Sequence, residues 1–199
     1  MSQLSAMLNQ LDPVVHAGIR RKINAINIEN IIIKHAIASA AAGLAGGFLP
    51  GVAGIIAVVT SAGAIWTMYY RICREMGIKI SQSILKTLGS AILSNIVTQL
   101  GGVILIEAIA SFIPGVAIVA SAAACYGVVY LAGYLFIKLL VSVFKAGQDP
   151  SVMSADELSA AGRQAAAEAD CKTIFQEARA EAKSKIRSGE ISKEEAQVS

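Results

Sequence analysis

Few residues in this chain have both the type and the surroundings to do chemistry, and Glu107 is the sharpest of them. It is the one carboxyl group within an apolar stretch, 88–111. A carboxylate is costly in hydrocarbon, so such a residue marks an ion path, an interhelical contact or a position near the headgroups. It lies about one to two helical turns from the apolar turn, which favours a carboxyl group that reaches the headgroups or stays protonated. His35 and Ser39 share a helix face at i,i+4, the spacing of a base and a nucleophile. No third orienting group or set of oxyanion donors accompanies them, so the pair reads as packing. Lys34 and His35 start their helix and reach for the interface. Cys73, Cys125 and Cys171 are too scattered for a disulfide framework or a zinc site. Cys73, between Arg71 and Arg74, has the setting of a lipid-acceptor thiol, with an inert interfacial thiol as the commoner case. Phosphate loops, dinucleotide fingerprints and triad spacings are absent. These residues point to no enzyme, no cofactor and no metal.

The elements that would carry them are unusually apolar. Of 199 residues 55% are hydrophobic and 16% charged, against about 45–50% and 25% in ordinary soluble domains. Charges thin out between Ile31 and Ile137 and crowd into the last fifty residues. Three regions follow: an amphipathic N-terminal segment (1–27), a membrane domain (28–147) and a polar helical tail (148–199). Residues 1–149 hold ten basic against five acidic side chains and residues 150–199 seven against nine, which gives the net +3. A basic membrane-proximal part suits anionic lipid. A basic stripe with interleaved aromatics is missing, which argues against nucleic acid. Residues 1–11 are neutral and mixed, and Arg20-Arg21-Lys22 comes later, so a secretory signal is not expected.

Four stretches (31–47, 52–70, 88–111 and 115–137) have the length of membrane-crossing helices, which need about 17–25 apolar residues. They form a repeat. Gly47-Phe48-Leu49-Pro50-Gly51-Val52-Ala53 matches Ser111-Phe112-Ile113-Pro114-Gly115-Val116-Ala117 at a shift of 64 residues. Pro50-Gly51 and Pro114-Gly115 each end one helix and begin another. Two tandem hairpins result. Gly43, Gly46 and Gly47 make small faces on which helices can pack closely. The basic residues Arg20, Arg21, Lys22, Arg71, Arg74 and Lys138 lie away from the turns, so the positive-inside rule places both termini in the cytoplasm. Trp66, Tyr69 and Tyr70 fit an interfacial belt, whereas Tyr126, Tyr130 and Tyr134 form a packing stripe at i,i+4. The turns themselves are apolar, which admits re-entrant wedges, although the segment lengths favour spanning.

After Lys145 the chemistry changes. Gly147 and Pro150 mark a break, Ser154 to Glu157 has capping-box spacing, and an Ala-rich, charge-mixed helix runs to about Arg187. Its few apolar anchors, Leu158, Ile174, Phe175 and Ile186, predict a solvated and mobile helix or one that waits for a partner.

The paired turns Phe48-Leu49-Pro50-Gly51-Val52 and Phe112-Ile113-Pro114-Gly115-Val116, with Arg71-Ile72-Cys73-Arg74-Glu75-Met76-Gly77-Ile78 after the first hairpin, resemble an uncharacterised bacterial hairpin domain. That domain is fused to, or encoded beside, Era-like and dynamin-like GTPases. The resemblance covers roughly 36–145 and implies a membrane module serving a GTPase, although this chain has no GTPase domain of its own. The expectation is an all-α membrane protein of two tandem helical hairpins, with an N-terminal amphipathic helix and a C-terminal polar helix. It would sit in a bacterial inner membrane as a non-enzymatic anchor or scaffold, self-assembling or recruiting a soluble GTPase through its tail. The rival expectations are an oligomeric pore and a bilayer-shaping wedge.

Overall fold

The structure, a computed structural model, describes residues 4–9, 25–45, 53–110 and 116–192, with side chains described at 4–9, 25–45, 61–101 and 118–192. Among the described residues the chain is all-helical: a short α1 (residues 4–9), then α2 (Ala25–Ala45), α3 (Ala53–Met76), α4 (Gln82–Ala110), α5 (Val116–Lys145), α6 (Ala155–Ala167) and α7 (Cys171–Arg187). α3 stops where Gly77 turns left-handed (φ +73°). There the Ile78 N–H reaches the Cys73 carbonyl at 2.8 Å and the Gly77 N–H the Arg74 carbonyl at 3.2 Å, a Schellman stop. Gly147 (φ +71°) ends α5 in the same way.

α2 to α5 alternate in direction around a shared core. Asn27 donates to the Glu75 carboxylate (3.1 Å) at one end of the α2–α3 pair, and the Ser39 and Ser61 hydroxyls meet at 3.2 Å further along. α2 also runs antiparallel to α5, with Gly133 against Ile32 and Gly43 against Ala122 and Cys125. α3 and α5 also lie side by side: the Tyr69 hydroxyl donates to the Ala132 carbonyl (3.0 Å) and its ring stacks on Phe136 at 4.1 Å. The helix ends that lead into 46–52 and 111–115 therefore share one end of the bundle, called the turn end here.

Four crossings were expected. Among the described residues two helices are long and apolar enough to cross a membrane, Ala25–Ala45 and Ile118–Lys145, and 50% and 72% of their apolar windows are buried inside the molecule. The described part of α4 exposes Ser83, Thr87, Ser90, Ser94 and Thr98 along one side, and that of α3 exposes Thr67, Tyr70, Arg71 and Arg74. Each is a polar stripe at helical spacing.

The tail departs furthest from expectation. It forms two helices, and both are docked. Ala167 is the last residue of α6 because the chain then bends through Glu168 and Ala169 to Asp170, which caps α7 by accepting from the Thr173 N–H. Gly162 seats α6 against Leu88, Ile92 and Leu139, and Gln99 reaches the Ala166 carbonyl at 3.1 Å. Leu158, Ala166, Phe175 and Ala182 have no exposed surface. The anchors that looked too few suffice because alanines and glycines around them let the helices approach closely. α1 is held similarly: Leu4 and Leu8 are buried and Ser5 donates to Glu29 (2.9 Å).

Candidate functional site: a charged cover and an uncovered end

α7 lies antiparallel along α5. At one end Lys138 pairs with Glu168 (3.7 Å), and at the other the Tyr126 hydroxyl donates to the Glu181 carboxylate (3.1 Å). Between them Gly127 makes room for Phe175: a Cβ at 127 would lie 2.8 Å from two ring carbons. The Arg179 guanidinium sits 5.3 Å over the Phe175 ring, a cation–π arrangement. Tyr130 stacks beside Tyr126 at 6.2 Å, so the tyrosine stripe of α5 is the seat of α7.

The outward side of this cover is charged. Asp156, Glu157, Arg163, Glu168, Asp170, Lys172, Glu177, Glu181 and Arg187 are all exposed. Glu181 and Glu190 flank Lys185 on one side of α7. The other side carries Arg179, Lys183 and Arg187 at i,i+4,i+8. Burial, then the neighbouring Arg179 and Arg187, hold the Lys183 ammonium below its ordinary value.

Among the described residues this coat gives out toward the turn end. Arg187 is six residues past Glu181, about 9 Å along a helix, whereas Val116 is ten residues from Tyr126, about 15 Å. Along α5 the helix α7 therefore ends about 6 Å short of the first turn. Across the bundle, Lys34 is the last charged outward residue of α2, and Ala38, Ala42 and Ala45 follow it on the outer side. From Lys34 to Ala45 is about 17 Å.

The residues singled out in the sequence scatter. Glu107 lies in helical backbone of α4, with its side chain outside the described set. Pro50, Gly51, Pro114, Gly115, Gly46, Gly47, Arg20, Arg21 and Lys22 also lie outside the described residues. Gly43 is in the α2–α5 contact, where a Cβ would come within 3.1 Å of Ala122 Cα and Cys125 Sγ. Arg71 and Arg74 are exposed at the end of α3 far from the turns, and Lys138 is half-buried beneath α7. His35 Nδ1 donates to the Ile31 carbonyl at 2.6 Å while Ser39 pairs with Ser61, so each has its own partner. Tyr69 is a core residue rather than part of a belt. Trp66 is half-buried against Gly89, with the Lys86 ammonium 5.9 Å over its ring. Cys73 is buried and burial pushes its thiol up to about 12, so no thiolate stands ready to be acylated at neutral pH. The set that sequence reading missed is the α7 basic row. Its spacing was visible, but nothing in a solvated helix distinguishes three basic residues from a charged face.

Far from the turns, Tyr70, Arg74, Ile78 and Lys79 border an open groove of about 520 Å³. Among the described residues no group of three His, Cys, Asp or Glu side chains is placed to hold a metal. Comparison with protein-family models, curated proteins and solved structures finds no match.

Proposed function

We propose that the chain is a non-enzymatic membrane anchor that seats the turn end of its bundle in one leaflet and keeps its polar body in water as a scaffold for a soluble partner. The observation that carries this reading is the charged cover. Nine exposed charged side chains on and between α6 and α7 flank α4 and α5. At roughly 2.5–3.5 kcal/mol each near the middle of a bilayer, submerging them would cost about 20 kcal/mol or more. The hydroxyl stripe on α4 is less decisive, because Thr87 and Thr98 donate to carbonyls one turn earlier and satisfy themselves.

The uncovered lengths, about 6 Å on α5 and about 17 Å on α2, are of the order of one leaflet of hydrocarbon, about 15 Å, and fall short of the about 30 Å of a full crossing. Of the sequence-level alternatives this favours the wedge. The cover counts equally against a ring of bare hairpins around a pore. The resemblance to GTPase-associated hairpin domains names the partner class, and the distal groove beside Arg74 and Lys79 is the face such a partner would meet.

The test is depth. Single cysteines at Leu49 and Ile113, in the full chain bound to vesicles, should carry a fluorophore that lipid-borne quenchers reach from the protein-facing leaflet. They should also resist impermeant thiol reagents from both sides. Ready labelling from the far side would replace this reading with a spanning one.

A further inference from the structure

We propose that Arg179, Lys183 and Arg187 on α7 form a binding surface for anionic lipid headgroups, an assignment that rests on the one-leaflet reading above. At 100° per residue the three side chains fall within an 80° strip of the helix. That strip borders the buried face formed by Phe175, Ala178 and Ala182. It lies away from the flank where Lys185 is neutralised by Glu181 and Glu190. The uncharged Gln176 and Ala180 are its neighbours on the outer side, so no carboxylate of α7 stands within the strip.

Position along the helix is the second line of support. Because Glu168 meets Lys138 and Glu181 meets Tyr126, α7 advances toward the turn end as its numbering rises. Lys183 and Arg187 are therefore among the last charged residues of α7 on the way to the turn end, at the depth where headgroup phosphates would stand if that end entered a leaflet. Arg179 is anchored over Phe175, which leaves Lys183 and Arg187 to reach outward. Burial first, and then the neighbouring Arg179 and Arg187, lower the affinity of Lys183 for its proton. A phosphate beside Lys183 and Arg187 would offset the positive charge crowded there.

The experiment is flotation of the full chain with vesicles of phosphatidylcholine alone and of phosphatidylcholine mixed equally with phosphatidylglycerol. Wild type should favour the mixed vesicles. Lys183→Gln/Arg187→Gln should lose about 30-fold in affinity for them, as expected for two basic residues at the surface, with phosphatidylcholine binding and circular dichroism unchanged. Arg71→Gln/Arg74→Gln, at the opposite end, should change neither. Mixed-vesicle binding that survives Lys183→Gln/Arg187→Gln, or is lost with Arg71→Gln/Arg74→Gln instead, overturns the assignment. Equal wild-type binding to both vesicles overturns it too while leaving the one-leaflet anchor in place. Flotation with neither vesicle overturns the anchor itself.

Discussion

A side chain at position 127 would have to share space with the Phe175 ring and with Arg179 Cγ, 2.9 Å from the added carbon. Phe175 is fully buried and cannot swing into solvent without uncovering the tyrosine face of α5. Gly127→Val should therefore weaken the docking of α7 by about 1–3 kcal/mol through overpacking. Phe175→Ala should cost about 3–5 kcal/mol by leaving a cavity. The double variant should cost less than the sum, because both changes act on one volume. Denaturant midpoints, with trypsin release of the tail as a second readout, check this; strict additivity would show that Phe175 does not sit on residue 127. Both residues could be seen in the sequence, one as an isolated anchor and the other as an unremarked glycine. Their pairing spans 48 positions, and no local pattern encodes a contact of that kind.

The tail helices owe their ends to local hydrogen bonds. Ser154 and Glu157 form a reciprocal capping box, and Asp170 caps α7. The box was legible from its spacing, since it needs only four consecutive residues. The split into two helices was not, because Glu168 to Asp170 contains no glycine or proline to announce a break. The cap hydrogen bond from the Ser154 backbone holds the Glu157 carboxyl below its ordinary value, and the Thr173 N–H does the same for Asp170. A lowered folded-state pKa contributes stability that is present above the ordinary values, 4.5 and 3.8, and is lost as pH falls through the folded ones. Helical content measured by circular dichroism should fall as the pH drops below about 4. Asp170→Asn, which keeps a capping oxygen but cannot titrate, should flatten part of that transition. An unchanged acid profile in this variant would remove Asp170 from the account.

For the molecule as a whole, the cover makes the tail part of the core. Deleting residues 150–199 would bare Leu88 and Ile92 on α4 and Tyr126 and Leu139 on α5, all buried now. The shortened chain should need detergent to stay monodisperse and should enter vesicles more deeply, with fluorophores at Leu49 and Ile113 quenched at greater depth. Unaltered solubility and depth would mean that α6 and α7 cover nothing of consequence. Several things are legible in the sequence itself: an all-helical class, a break at Gly147, two matching Pro-Gly turn motifs 64 residues apart, and an apolar block followed by a charged tail. All of these rest on neighbours within a few turns or on counting residue types. What the tertiary structure alone decided is how much of the apolar block is spoken for. Two helices look equally apolar whether lipid or a companion helix faces them, because the hydrophobic effect rewards removal from water and is indifferent to what replaces it. Only the packing of α6 and α7 along α4 and α5 shows that protein takes that place over much of the bundle.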